Sequence, residues 1–551
     1  MIGTARTTVG QTGHRPRILV LVALAACSRS SPDAVDNRQI APKAHGTNVA
    51  RADYLGPKAC GDCHADEYAR WQQSLHRVMN AKAEDAQAVI GDFSGAIVSY
   101  AGGEARFSRE GGAYLMELRK GERRVRYRVT RTIGRRGLQE YVGVEDGRTE
   151  EVRLPFGWWP RRDGWYPQPY FDPWLGDEAG FDAYAPVREP WAERCPWCHS
   201  TYPFALRIER AMTTQLGHGL EQWFAEPDVE RAGSAAPYEP DRRGPGPILD
   251  VTQQVTTGIS CESCHLGGRD HAAGAPIHLV PQGLPTTAVK LPARFSDERR
   301  DSAIVNTVCA QCHSGPSPRL ADGTALRNSS EALDLAASPC TGIKCTDCHD
   351  PHRADARGDD ARAIAACTRC HAALAEPKAA LAHAGSGHAT TTCLDCHMPR
   401  VVMGIDRYVR THRISSPTNP KLLAAAAPNA CSLCHLDRSI RWTIDALRDQ
   451  WDVRARIAED AYGDRNVGEV WLASPTPAIR LIAAHAYARS PLGKSALPEL
   501  VRGLADPIAY VRTWTQFAVE DALGRRLSIG EYDARASSDI RAKALARIKW
   551  R

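Results

Sequence analysis

The sequence predicts a mainly α chain with extensive loops wrapped on bound cofactors, one small antiparallel β insert and a C-terminal α-helical repeat region. Three observations predict it. The pattern Cys-x-x-Cys-His occurs eight times, six of them between Cys261 and His435. The run Arg124-Val125-Arg126-Tyr127-Arg128-Val129-Thr130 alternates strictly, as a half-buried strand does. Beyond Asp437 there is no cysteine, and Ile479-Arg480, Val511-Arg512 and Ile540-Arg541 return at intervals of about 30 residues, the period of stacked helical hairpins.

The eight motifs are Cys60-Gly-Asp-Cys63-His64, Cys195-Pro-Trp-Cys198-His199, Cys261-Glu-Ser-Cys264-His265, Cys309-Ala-Gln-Cys312-His313, Cys345-Thr-Asp-Cys348-His349, Cys367-Thr-Arg-Cys370-His371, Cys393-Leu-Asp-Cys396-His397 and Cys431-Ser-Leu-Cys434-His435. This is the attachment signature of c-type haem: two thiols bond to the porphyrin and the histidine supplies one axial nitrogen. Zinc ribbons need no histidine there, and disulfides need none at all. Yet all eight pairs carry it, in a chain where His is only 19 of 551 residues. Eight covalently bound c-type haems are therefore expected. One short motif cannot bury a haem, so the haems make up much of the core.

The chain divides in order. Arg6, Arg15 and Arg17 precede the apolar run Ile18 to Ala26, which is too short to span a bilayer and fits a signal peptide over residues 1–26. Its end, Leu24-Ala25-Ala26-Cys27, resembles a bacterial lipobox. That resemblance makes Cys27 the acylated first residue of an exported lipoprotein. With Ser28 after it, it implies sorting to the outer membrane, on its periplasmic side or its surface. Residues 27–55 read as a flexible tether and 56–94 as a first haem-binding segment, with a helix over Asp66 to Ala83. Residues 95–155 form the β insert, with Gly102-Gly103, Gly111-Gly112 and Asp146-Gly147 as hairpin turns. In the haem core, 156–436, the stretch holding Trp158, Trp159, Trp165, Trp174 and Trp191 reads as an irregular wall against a porphyrin. Residues 437–551 form the helical tail.

The formal charge is +6. Loss of the leader's three arginines halves it, and two propionates on each haem carry the total below zero, so nucleic acid is not an expected partner. Arginine pairs such as Arg161-Arg162 and Arg299-Arg300 read as solvated faces or propionate partners. Expected partners are redox proteins: other cytochromes, a quinol-oxidising complex or a terminal acceptor.

Each iron has a second axial position. Besides the motif histidines, His14 lies in the leader, His45 in the tether and His485 in the tail. His76, His218, His271, His278, His352, His383, His388 and His412 remain, eight candidates for eight irons. This favours bis-His, low-potential, low-spin centres; methionine, which would raise the potential, is scarce. His352 follows His349 by three residues and cannot round its own porphyrin, so it points to a neighbouring haem. The same reasoning applies to His271 after His265.

Cys393-Leu-Asp-Cys-His-Met-Pro with Thr411-His412-Arg-Ile-Ser-Ser416, and Cys345-Thr-Asp-Cys-His-Asp-Pro-His352, resemble the multihaem cytochromes that include pentahaem nitrite reductase and hydroxylamine oxidoreductase. More closely, residues 54–440 resemble exported octahaem c-type cytochromes with a helical repeat tail. That resemblance is carried by Gly56-Pro-Lys-Ala-Cys60, Tyr68, Trp71, Ser74 and His76, and by Tyr127-Arg-Val-Thr with Leu138-Gln-Glu-Tyr141. Leu497-Pro-Glu-Leu500 and Asp506-Pro507 before Val511-Arg512 resemble a HEAT-type helical pair. The cytochrome resemblance implies that His76, His271, His352 and His412 are distal ligands. Nitrite reductases of this kind carry Lys as proximal ligand at the active haem, and no motif here ends in Lys, which argues against that chemistry. Two functions follow. One is a conduit passing electrons along closely spaced haems in the cell envelope. The alternative is a reductase or oxidoreductase of a small nitrogen or sulfur oxyanion at one haem with an open axial site.

Overall fold

The computed structural model describes residues 46–172, 180–188, 190–207, 250–282, 301–315, 317–353, 359–457, 463–548 and 550. The leader, Cys27, most of the tether, Trp174 and His218 lie outside them. No helix among the described residues is long and apolar enough to cross a membrane.

The β region is larger than the sequence suggests. Seven antiparallel strands form one sheet: β1 (Asn80–Lys82), β2 (Ala96–Tyr100), β3 (Gly103–Glu110), β4 (Ala113–Lys120), β5 (Arg123–Ile133), β6 (Glu140–Glu145) and β7 (Glu151–Arg153). The order β2-β3-β4-β5-β6-β7 is a meander, as the short glycine turns dictate. Gly111 and Gly112 both have positive φ, which a two-residue hairpin between β3 and β4 requires. On β5, Val125, Tyr127 and Val129 face inward. A register shift between Val129 and Arg131 then turns the strand, and its last residues pair with β1 instead of β4. The helix expected over Asp66 to Ala83 therefore stops early. It spans Ala65–Gln72, and Asn80–Lys82 is taken into the sheet by backbone pairing.

The aromatic stretch is regular where it begins. It forms a second hairpin, β8 (Phe156–Trp159) and β9 (Gly164–Pro167). Trp165 stacks on Phe107 of the sheet at 3.7 Å, with 2° between the planes. Trp159 sets its ring against Phe517 of the tail at 4.6 Å. Each such buried aromatic contributes about 1.5–3 kcal/mol, and together they fuse sheet, hairpin and tail into one apolar core. Buried pairing of Arg162 with Glu520, and donation from Arg535 Nη1 to the Trp165 carbonyl at 2.8 Å, fix the same junction.

The tail is helical: Ile440–Trp451, Val467–Leu472, Pro477–Arg489, Leu497–Leu500, Ala509–Leu523 and Ser538–Arg547. The recurring arginines share one role. Arg480 Nη1 donates to the carbonyls of Ser474 and Pro475, at 2.8 and 3.2 Å. Arg512 Nη1 donates to those of Asp506 and Pro507, at 3.0 and 2.8 Å. Arg541 donates to that of Ala536. Each guanidinium satisfies carbonyls in the turn that enters its own helix, so the repeat is structural.

Candidate haem centres

Each motif is one helical turn. In Cys261–His265, Cys345–Cys348 and Cys393–His397 it begins a helix; in Ser302–His313 and Asp360–Cys370 it ends one. A helix puts residues three apart on one face, so both thiols address the same side. In two of the three motifs that read Cys-x-Asp-Cys, the aspartate starts the turn. Asp395 accepts from the Thr392 backbone and Asp347 from the Lys344 backbone, each at 2.8 Å.

Neighbouring motifs meet through their thiols. Cys60 lies close enough to Cys261, Cys198 to Cys312, and Cys309 to Cys345 for each thiol to perturb the other. Cys264 lies in the field of Cys312, Cys348 in that of Cys367, Cys367 in that of Cys393, and Cys431 in that of Cys396. These electrostatic interactions link all eight motifs. A single run passes from Cys60 through Cys261, Cys309, Cys345, Cys367 and Cys393 to Cys431, and the Cys195 motif branches off at Cys312.

The histidines pair across motifs. His64 faces His271 at 6.1 Å between ring centroids and 10° between planes. His265 faces His352 at 6.3 Å and 7°. His349 faces His412 at 6.0 Å and 25°, and His397 faces His383 at 6.1 Å and 10°. His435 faces His388 at 6.3 Å with its plane turned by 88°. Six ångströms exceeds the spacing of rings stacked directly face to face. With a metal–imidazole nitrogen distance of about 2 Å, two rings on opposite sides of one iron have centroids roughly 6 Å apart, and their planes are free to rotate about that axis. A sixth neighbour pair is His76 with His313, whose charge, after burial, lowers His76 to about 4.

Hydrogen bonds set which nitrogen each ring presents. Nδ1 of His271 lies 2.8 Å from the Ala275 carbonyl, that of His388 2.9 Å from Ala384, and that of His397 2.9 Å from Ser415. A carbonyl there holds the proton on Nδ1 and leaves Nε2 with its lone pair, the form a metal takes. Burial acts the same way by keeping imidazoles neutral, and it is the chief cause depressing His412 and His397. His313 differs. Its Nδ1 sits 3.2 Å from the Glu331 carboxylate, which overcomes burial and raises the histidine to about 9.

The start of the tail supports two of these pairs. Trp442 packs on His435 at 4.7 Å. Trp451 lies 6.1 Å from His388, and its Nε1 donates to the His383 carbonyl at 2.9 Å. Glu331, Trp442 and Trp451 carry no motif that would reveal them in the sequence.

Other candidates are placed as follows. His199 is buried, which lowers it to about 4, with the edge of Trp191 at 6.3 Å. No histidine ring pairs with His199 or His371 among the described residues. His278 is half-buried in the loop after helix Arg269–Ala272. His485 is enclosed in the tail between Tyr408 and Trp514, at 4.9 and 5.6 Å. The cysteine pairs, the facing rings and the Nδ1 anchors fit covalent haem with two axial histidines. They would hold its vinyl carbons and its iron.

No protein-family model matches the chain, and no curated protein does. Two solved structures are similar to it. One is the outer cell wall cytochrome OcwA, with 15% identity and a TM-score of 0.37, covering 90% of this chain and 98% of that one. The other is the octaheme sulfite reductase MccA of Wolinella succinogenes, form II, with 12% identity and a TM-score of 0.31, covering 92% of this chain and 86% of that one. Likeness at this level decides neither fold nor function, and the reading below rests on the motifs and the ring pairs.

Proposed function

We propose that this protein is an octahaem c-type cytochrome that conducts electrons along one connected line of mostly bis-His haems in the bacterial cell envelope. The observation that carries the reading is the set of five facing imidazole pairs, each joining a motif histidine to a distant one at the separation of two ligands on one iron. When bound, haem supplies one-electron chemistry; the chain sets its position, ligation and surroundings. Adjacent motifs support short steps between successive haems, and the five histidine pairs support ties between their motifs and other segments of the chain.

Low-temperature spin resonance of the oxidised protein tests this, with low-spin signals expected to dominate. A stoichiometric high-spin ferric signal, with turnover of nitrite, hydroxylamine or tetrathionate from a viologen donor, would favour the oxyanion-reductase reading. Its open haem would then be sought at His199 or His371.

Glu331→Gln is expected to raise the midpoint potential of the haem held by Cys309, Cys312 and His313. The carboxylate pushes electron density onto the proximal imidazole and stabilises the ferric state, and a neutral amide does so less. Redox titration followed by spin resonance reads it; a downward shift contradicts the assignment.

For the anchor, Cys27→Ala is expected to release the protein from membranes with its haem content unchanged. The motivating residues are Leu24-Ala25-Ala26-Cys27 after the short apolar run, and a multiply acylated cysteine anchors where one chain does not. A variant that still pellets with membranes after a carbonate wash would place the anchor elsewhere.

A further inference from the structure

We propose that Trp442 and Trp451 are positioning residues that hold the imidazoles of His435 and His388 crossed, and so set the haem at Cys431 apart, in spectrum and in potential, from haems whose ligand planes lie parallel. The proposal rests on the bis-His reading above and takes it from which rings pair to how they are turned.

Four of the five facing pairs have near-parallel rings, at 10°, 7°, 25° and 10°. The pair His435 and His388 is crossed at 88°. Rings on one iron turn freely about their shared axis, so an angle this far from the others has its cause in the surroundings. One helix touches both rings. It is Ile440–Trp451, the first of the tail. Trp442, near its start, lies against His435 with 4.7 Å between centroids and 46° between planes. Trp442 is held in turn: its backbone N–H donates to Ser439 Oγ at 3.1 Å, and the Arg438 guanidinium lies over its ring at 5.7 Å. Among the described residues no hydrogen bond holds the His435 ring, so packing orients it. Trp451, the last residue of the helix, stands 6.1 Å from His388 with its plane tilted by 41°. Its Nε1 donates to the His383 carbonyl at 2.9 Å, which grips the segment that delivers His388. Within that segment the Ala384 carbonyl fixes His388 Nδ1 at 2.9 Å. The turn between them is Gly385, with φ +85°. A β-carbon there would stand 3.3 Å from Trp451 Cζ2 and 3.6 Å from His388 Nδ1, so the close fit of loop on tryptophan relies on glycine.

The angle has electronic consequences. Two imidazoles in one plane raise the same iron d orbital, and the ferric state is stabilised because its unpaired electron occupies that orbital. Crossed imidazoles raise two d orbitals about equally, and that stabilisation is lost. A crossed pair therefore gives a low-spin ferric signal with one large g value, where a parallel pair gives a rhombic one. It also gives a higher midpoint potential than the same haem would have with parallel ligands. Groups outside the ligand set thus act on the iron by orienting its ligands. The Cys431 motif ends the linked run of motifs, so through these two tryptophans the tail sets the potential of a terminal site.

The test uses the full-length, haem-loaded protein and its variants Trp442→Leu and Trp451→Phe, with haem stoichiometry, low-temperature spin resonance of the oxidised form and a redox titration. Trp442→Leu keeps apolar bulk but removes the flat surface against His435. Trp451→Phe keeps a ring but removes the Nε1 donor. For Trp442→Leu the expected result is a full haem complement, about one haem's worth of large-g signal replaced by rhombic signal, and one midpoint potential shifted downward. Trp451→Phe is expected to move the same signal and the same potential in the same direction by less, and it serves as the readout if Trp442→Leu does not accumulate. Lower thermal stability with signal and potential unmoved in both variants would make the tryptophans merely structural and overturn the proposal. A wild-type spectrum with no large-g signal would overturn it as well. A high-spin wild-type haem at Cys431, or no haem adduct on that peptide, would instead refute the bis-His reading there, so the two failures are distinct.

Discussion

His352→Ala is expected to leave the haem proposed at Cys261, Cys264 and His265 with one protein ligand, without loss of any thioether-bound haem. The His352 ring stands 6.3 Å from that of His265 and nearly parallel to it. Its own motif's histidine, His349, faces His412 instead. The step Asp350-Pro351 makes this division. A residue before proline avoids helical geometry, and Asp350 Oδ1 accepts from the His352 backbone at 3.1 Å, holding the turn that carries the ring away. Methyl in place of imidazole leaves no donor to the iron on that side. Spin resonance should gain about one haem's worth of high-spin signal, with a raised potential for that haem. An unchanged low-spin spectrum would mean that His352 is a surface residue or a propionate partner.

Arg512→Ala is expected to cost about 3–5 kcal/mol, the range for removing a buried charged group with its hydrogen bonds. Arg512 is 0% exposed. Besides the Asp506 and Pro507 carbonyls, it donates from Nε to that of Ala534 at 3.2 Å and lies over the Tyr170 ring at 5.7 Å. Alanine leaves buried carbonyls unsatisfied and a cavity where tail and hairpin meet. The denaturant midpoint of the tail, followed by far-ultraviolet dichroism, should fall with the haem count unchanged. A loss under about 1 kcal/mol would show that water replaces the guanidinium freely.

What could be read from the sequence follows what is local. Alternation at Val125, Tyr127 and Val129 depends on a period of two, and the strand is there. Asn80–Lys82 has no such pattern. It is a strand only because the turn in β5 opens an edge for it. The dense aromatics after Phe156 announce burial but not the surface they are buried against, which proves to be Phe107 and Phe517. The tail's arginines mark a period from sequence alone, while their carbonyl partners need the folded turn. The motifs name their cysteines and proximal histidines outright. Which distant ring faces which motif is a question of tertiary contact. His383 and His388 sit among small residues that give no hint of a role, and the tryptophan beside them, Trp451, is more than sixty residues away in the chain.

Eight motifs are expected to carry eight covalent haems. The mass of the intact exported protein, with peptide mapping of each Cys-x-x-Cys-His segment, tests it most directly. The expected result is a mass eight haems above the processed polypeptide and a haem adduct on every one of the eight peptides. Free or disulfide-bonded cysteines at these positions, or a mass increased only by zinc, would contradict it.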